Sequence, residues 1–171
     1  LTVQNYMNVD TSAGDVTIVA DNLSLTGSGY IKVTGGGSLF LFVKNDLNVA
    51  GSCAINRDGP ASKVTIFSLG NLTLSGAGVV NANVFLYNDN VVFNGSGVLN
   101  GNLYSHASAI AIYGRGTING VVYTPNADAK VHSSGLINGR LVAKSLEIYG
   151  QGAIKYAPAN GNVTFPPQAI K

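Results

Sequence analysis

Charged residues are scarce in this sequence, because Asp, Glu, Lys and Arg make up only 11% of its 171 residues, against about a quarter in ordinary globular proteins. The formal net charge is +2, so neither a polyanion-binding protein nor an enzyme for acidic substrates is indicated. The single cysteine, Cys53, excludes an intramolecular disulfide and a cysteine-based metal cluster. No apolar run approaches the ~18 residues of a membrane span, and no signal peptide is visible.

Glycine and apolar residues are abundant instead, with 22 glycines and 46% hydrophobic residues. Gly97, Gly116, Gly135 and Gly152 follow one another at steps of 19, 19 and 17 residues, each after a short strand-like pattern and before an aliphatic pair. A period near 20 with glycine corners and β-branched runs is typical of a solenoid in which each repeat forms one coil. Leu1 already lies inside this pattern, which predicts a processed protein or a fragment of a longer one.

The sequence therefore predicts an all-β fold, a single-stranded parallel β-helix with three short strands per coil and no substantial helix. Residues 1–157 should form about seven to eight coils of 17–25 residues, and inserts near residues 35–38 and 58–62 lengthen the early ones. Proline and glycine then interrupt the pattern, so residues 158–171 are predicted to form a tail that caps the last coil. The apolar residues that open the successive coils are Leu1, Leu23, Leu47, Leu72, Val91, Ile110, Ala129 and Leu146.

Residues one period apart should lie above one another, so two aliphatic columns are predicted to fill the core. The first column contains Ile31, Ile55, Val80, Leu99, Ile118, Ile137 and Ile154. The second contains Leu25, Val49, Leu74, Phe93, Ile112, Val131 and Ile148.

An asparagine column follows the first aliphatic column by one residue. We interpret it as a structural ladder, because stacked amides hydrogen-bond along a stack and asparagine tolerates the left-handed conformation of corners. A row of ligand-binding amides is the alternative. The predicted ladder contains Asn56, Asn81, Asn100, Asn119 and Asn138, with Asp10 at the same place in the first coil.

An aromatic and basic cluster is the main candidate for ligand binding. Tyr113, His132 and Tyr149 should lie side by side on the outside of the last coils, and Tyr104 and Tyr123 form a second adjacent pair. Such rings can hold sugar rings or nucleotide bases when basic residues lie nearby. A solvated face whose rings only stack on each other is the alternative. The candidate ligand-binding residues are Tyr113, His132, Tyr149, Arg115, Lys130 and Arg140.

Acidic residues give little indication of catalysis. A β-helical polysaccharide hydrolase or lyase needs two converging carboxylates or a calcium cluster with a basic residue, and the predicted columns supply no such pair. Lys130 is the expected ion-pair partner of Glu147. Asp21 and Asp46 occupy one corner in adjacent coils and are the candidate metal ligands, for calcium. No catalytic residue and no cofactor is predicted.

Two segments carry a family resemblance: GRGTINGVVYTPNAD at residues 114–128, and GLINGRLVAKS at residues 135–145. They resemble the C-terminal β-helical domain of bacterial pilus-assembly and minor-pilin-type surface proteins. The likeness is best over about residues 90–157 and rests on the coil pattern plus the Tyr-x-Pro-Asn-Ala turn. The resemblance implies export and exposure at the cell surface, and it implies no catalytic residue.

The function predicted from the sequence is a non-enzymatic, extracellular structural or adhesive module at the bacterial surface or on a pilus. Its expected partners are other pilus or surface proteins or copies of itself, with polysaccharide and DNA as further options and no membrane contact from this segment. Three alternatives stay open: a filament subunit that stacks end to end, a carbohydrate-active or carbohydrate-binding β-helix, and a DNA-binding pilus-tip module.

Overall fold

Apolar and polar residues alternate in short runs, and such runs form strands that bury one face. The computed structural model describes residues 1–87 and 90–157, and one 3-10 turn, Ala61–Lys63, is the only helical element in those ranges. The strands are β1 (Thr2–Val3), β2 (Tyr6–Asp10), β3 (Val16–Ala20), β4 (Leu23–Leu25), β5 (Tyr30–Thr34), β6 (Leu39–Val43), β7 (Leu47–Val49), β8 (Ala54–Ile55), β9 (Val64–Ser68), β10 (Leu72–Gly76), β11 (Val79–Asn81), β12 (Asn83–Leu86), β13 (Val91–Gly95), β14 (Val98–Asn100), β15 (Leu103–Ser105), β16 (Ala109–Ile112), β17 (Thr117–Ser133), β18 (Leu136–Gly150) and β19 (Ala153–Lys155).

Every strand pairs in parallel with the equivalent strand of the next coil, so the predicted β-solenoid is confirmed, with about eight turns. The strands form three faces. The first face contains β1, β4, β7, β10, β13 and β16; the second contains β2, β5, β8, β11, β14 and β19; the third contains β3, β6, β9, β12 and β15.

The last coils depart from the prediction of three short strands. β17 and β18 each run without a break through all three faces, and they pair with each other from Thr117 and Leu136 onward. These coils carry no inserts, so the extended chain turns its corners without leaving the hydrogen-bonded ladder. Consecutive Val121 and Val122 are both fully buried at such a turn, and the pairing shifts register between Thr124 and Asp128.

Both predicted aliphatic columns are confirmed by the register. Ile118 lies between Leu99 and Ile137, and Phe93 lies between Leu74 and Ile112. These six side chains are at most 1% exposed. The second column continues to Ile148 in the last described coil, where its exposed fraction rises to 47%, and Leu146, which opens that coil, is 48% exposed. The predicted cap over this coil, residues 158–171, lies outside the described residues.

Left-handed glycines turn the corner between the first and second faces. Gly95 and Gly114 have φ values of 95° and 65°, a conformation that is strained for residues with a side chain. Ser133 occupies the same place in the next coil and has a φ of 60°. The corner also contains Cys53, which is fully buried. Burial raises the pKa of the Cys53 thiol, which favours a packed, unreactive side chain.

The inserts in the early coils are wide turns that are tied to the solenoid. The Lys63 ammonium donates to the carbonyl oxygens of Gly36 and Gly37, the second at 2.9 Å, and thereby joins the two inserts. The Asn56 side chain donates to the Pro60 carbonyl at 3.0 Å within the second insert. These contacts hold the inserts against the corner between the second and third faces.

Replacing Ser133 by glycine should stabilise the protein, because the left-handed strain at this position disappears. We expect Ser133→Gly to raise the free energy of unfolding by about 1 kcal/mol, measured by urea denaturation. Ser134→Gly is the matched control: its φ is not positive, so the added flexibility should cost about 0.5–1 kcal/mol. Equal losses for the two variants would contradict the role given to the corner.

Candidate functional site

The asparagine column forms a side-chain ladder between the second and third faces. Asn100 donates to the Asn81 side-chain oxygen at 2.7 Å, Asn119 to that of Asn100 at 2.7 Å, and Asn138 to that of Asn119 at 3.3 Å. The amide of Asn81 donates instead to the carbonyls of the second insert. The side-chain amides of these four asparagines therefore all donate hydrogen bonds within the chain, as the structural interpretation expected.

The first residues of the column differ from the prediction. Asn56 precedes Asn81 in the column, but its amide is directed to Pro60, and it alone of the five asparagines has a left-handed φ, 53°. Asp10 was wrongly placed in this column. It pairs in register with Thr34, and its carboxylate accepts hydrogen bonds from Ser12. The error arose because the first coil has two more residues in its second strand before the corner.

A second polar ladder lies where the third face passes into the first face. The Asp46 amide N–H donates to the Asn22 side-chain oxygen at 3.3 Å, and Asn71 donates to the Asp46 carboxylate at 3.0 Å through both its main chain and its side chain. The Asn90 main chain donates to the Asn71 side chain at 3.0 Å. The repeated Asn or Asp before each first-face strand was visible in the sequence as a signal for this ladder.

The two candidate metal ligands are each engaged with other groups. The Asp21 carboxylate lies 2.8 Å from the Lys44 ammonium, and the hydrogen bond and charge of Lys44 lower the pKa of Asp21. The Asp46 carboxylate oxygen accepts the hydrogen bonds from Asn71. Within residues 1–87 and 90–157, no group of three or more His, Cys, Asp or Glu side chains could hold a metal ion. Calcium binding by Asp21 and Asp46 stays a prediction.

Carboxylates elsewhere in the described chain also join neighbouring coils. Asp128 accepts a hydrogen bond from Ser145 at 2.7 Å, which, together with the Lys144 charge, lowers its pKa. Asp58 accepts from the Tyr30 hydroxyl at 2.8 Å. Of the seven acidic residues that the structure describes, six contact a residue of an adjacent coil; they are Asp15, Asp21, Asp46, Asp58, Asp128 and Glu147.

The predicted aromatic cluster is brought together on the outside of the first face. The ring centroids of Tyr113 and His132 are 5.7 Å apart, and those of His132 and Tyr149 are 5.8 Å apart. The rings are steeply inclined, at 72° and 57°, so they do not form a flat stack. Tyr149 is 73% exposed. Lys130 lies on the same outward side, two residues before His132.

Glu147 completes this cluster in a way that the sequence analysis missed. Its carboxylate lies 2.9 Å from His132 Nε2, although that nitrogen lacks the geometry of a hydrogen bond. Lys130, the expected partner, pairs with Glu147 only in backbone register. The signal was the outward alternation of Glu147 and Tyr149 on one strand, which places the carboxylate diagonally beside His132 as well as directly beside Lys130.

Two of the candidate basic residues lie elsewhere. Arg140 belongs to the third-face segment of β18, where its guanidinium lies 5.6 Å from the centre of the Tyr156 ring. Arg115 is exposed at the corner, two residues after Tyr113. The cluster that the structure assembles is therefore Tyr113, Lys130, His132, Glu147 and Tyr149, without Arg140.

An aromatic ladder on the third face was not recognised from the sequence beyond Tyr104 and Tyr123. Phe42, Phe67, Phe85 and Tyr104 stack in successive coils, and their ring centroids are separated by 4.8, 5.2 and 4.8 Å. The rings are inclined by only 10–20°. They are nearly parallel, so each inner ring has its two faces covered by neighbours and presents only its edge outward.

Removing one rung of the asparagine ladder should destabilise the protein. Asn119→Ala deletes the hydrogen bond to Asn100 and leaves Asn138 without its acceptor, which should cost about 1–3 kcal/mol. The measurement is chemical denaturation. Asn94→Ala is the matched control, because Asn94 is exposed on a strand and lies in no ladder; a cost as large as that of Asn119→Ala would contradict the ladder's contribution.

Comparison with known proteins adds a family but no function. Within the described ranges, no helix is both long and apolar enough to cross a membrane. No match was found among curated proteins or among solved structures. A family described as a domain of unknown function, DUF7305, matches residues 1–104 and again residues 61–163. Two overlapping matches are expected when one family pattern can be placed on a repeated coil in two registers. The chain thus belongs to the DUF7305 family.

Proposed function

We propose that this chain is a non-enzymatic structural module, a rigid β-solenoid that is displayed outside the bacterial cell and binds other molecules through its exposed faces. The observation that carries the proposal is the placement of the carboxylates. Six of the seven described acidic residues contact an adjacent coil, as the pairs Asp58–Tyr30 and Asp128–Ser145 illustrate. Groups that would serve as acids, bases or metal ligands in a β-helical enzyme hold coils together here.

The surface chemistry favours binding over catalysis. The third face presents stacked ring edges with few charges, and the first face presents the inclined Tyr113, His132 and Tyr149 rings. Exposed aromatic patches on a rigid scaffold commonly mark interaction sites. Continuous backbone pairing along the solenoid makes such a scaffold stiff, which suits a protein that presents binding surfaces at a distance from an attachment point.

The location is proposed from the resemblance of residues 114–128 and 135–145 to β-helical domains of pilus-assembly and minor-pilin-type proteins. The partners proposed on this basis are other pilus or surface proteins, or copies of the chain itself. A neutral polysaccharide is favoured over DNA at the aromatic cluster, because Glu147 lies beside His132 and would repel phosphate groups.

Antibody labelling of native cells tests this proposal. An antibody against the solenoid should label intact cells and permeabilised cells equally, because the module is expected on the outer surface. A cytoplasmic protein of the same cells is the control, and it should be labelled only after permeabilisation.

Labelling of the solenoid only after permeabilisation would contradict the proposed location. The non-enzymatic part is tested separately with the purified protein and pectin-like polysaccharides. No new reducing ends should appear, and their steady release would replace the proposal with a carbohydrate-active function.

A further inference from the structure

The aromatic ladder forms the centre of a long apolar stripe on the third face. Register extends the ladder of Phe42, Phe67, Phe85 and Tyr104 to Val19 at one end, and to Tyr123 and Val142 at the other. The exposed fractions are 62% for Val19, 40% for Phe42, 37% for Phe85 and 41% for Val142. The stripe thus crosses seven coils, one residue per coil.

The geometry of the rings restricts what can bind there. A sugar ring or a nucleotide base binds an aromatic side chain through the face of the ring. Here the faces of Phe67 and Phe85 are covered by the neighbouring rings at about 5 Å. The inner rings therefore expose only their edges, so the stripe fits another protein surface and not a glycan or a nucleic acid.

Among residues 1–87 and 90–157, the charged side chains on this face lie near its two ends. Asp21 and Lys44 lie beside the Val19 end, and Arg140 and Lys144 lie beside the Val142 end, on the same outward side as Val142. The three central coils present Leu69, Tyr87 and His106 next to the ladder. A partner for this face must therefore be neutral along its middle and must tolerate these charges at the ends.

We propose that a second copy of this chain packs on the third face, with the two solenoids antiparallel. The two-fold axis then lies in the plane between the two faces, parallel to the strands and level with Phe85, the fourth of the seven stripe residues. The Phe85 rings of the two copies therefore meet. Val19 of each copy faces Val142 of the other, and the apolar stripe is covered over its whole length. This inference concerns association and does not depend on the proposed location.

Charge complementarity selects the antiparallel arrangement. It places Asp21 of each copy, which also pairs with Lys44, opposite Lys144 of the other copy, which lies 3.8 Å from Asp128. Opposite charges therefore face each other at both ends of the interface. The parallel arrangement would instead place Arg140 of each copy opposite Lys144 of the other, so like charges would face each other. Like charges across an interface are unfavourable, which disfavours that orientation.

The dimensions of the face suit a dimer. Seven strands at ~4.8 Å and five residues at ~3.3 Å give a rectangle of roughly 34 by 17 Å, or about 580 Å² in projection. A stable interface buries about 600–1,000 Å² of accessible surface per partner. Because protruding side chains make the accessible surface larger than its projection, the face reaches the lower part of that range.

Sedimentation equilibrium of the full chain is the first test. The expected result is a concentration-dependent mass that rises from 17.6 kDa towards twice that value. Phe85→Lys should weaken association by at least about 100-fold, because it brings two like charges together at the two-fold axis. Thr73→Lys, on the outward side of the first face, is the matched control and should leave the dissociation constant unchanged.

Cross-linking provides a test that does not rely on a destabilising variant. Phe85→Cys should form a covalent dimer with a short bismaleimide that spans the ~10 Å between packed sheets, whereas the unmodified chain, whose one cysteine is buried, should not. A mixture of Val19→Cys and Val142→Cys proteins should cross-link to each other, and Val19→Cys alone should not.

Three results would overturn the proposal. Cross-linking of Val19→Cys alone, without the mixed product, means a parallel dimer. A monomer at all concentrations whose Phe85→Cys thiol does not react with maleimide means that another part of the same chain covers the face. A monomer whose thiol reacts fully means that copies of this chain do not cover the face, and a different protein is then its binding partner.

Discussion

The whole structure depends on backbone hydrogen bonding between equivalent strands of successive coils. This pairing fixes the register, and the register brings residues about 17 to 25 positions apart into contact. Ile118 contacts Leu99 and Ile137 for this reason, and the same rule aligns the Asn119 side chain with those of Asn100 and Asn138. Each coil thus aligns the next one, and the neighbours of a side chain are the residues at the same position in the two adjacent coils.

Polar groups reinforce the same stacking. Amide ladders at two corners satisfy half-buried side chains that would otherwise lack partners, and exposed carboxylates contact groups of adjacent coils. The low content of charged residues follows from this arrangement, because like charges repeated every coil would lie ~4.8 Å apart in a column and repel one another. The neutral exterior is therefore a consequence of the repeat, and it leaves aromatic residues as the main features on which binding can act.

The fold and its core columns could be predicted because a repeated pattern reports spatial proximity directly. Gly114 and Ile118 recur with equivalents in neighbouring coils, so their structural positions follow from spacing alone. Departures from a constant period were harder to place. Asp10 was assigned to the wrong column because the first coil has a longer second strand.

The candidate surfaces were predicted less completely, since they depend on side-chain geometry. Tyr113, His132 and Tyr149 were placed together correctly by register, but Glu147 reaches His132 diagonally, and spacing alone does not reveal this contact. Phe42 and Phe67 come from coils of different length, so their alignment is visible only once the inserts have been placed. The binding of ligands by these surfaces is a separate question that fold and register do not answer.

The central claim is that residues one coil apart are stacked in columns, and methyl NMR tests it most directly. In a protein labelled at isoleucine methyl groups, Ile118 and Ile137 should show a strong nuclear Overhauser effect, because their strands are ~4.8 Å apart. Ile137 and Ile154 should show the same effect, and Ile31 and Ile118, several coils apart, should show none. Absence of the Ile118–Ile137 contact in the folded protein would contradict the solenoid register and every column assigned from it.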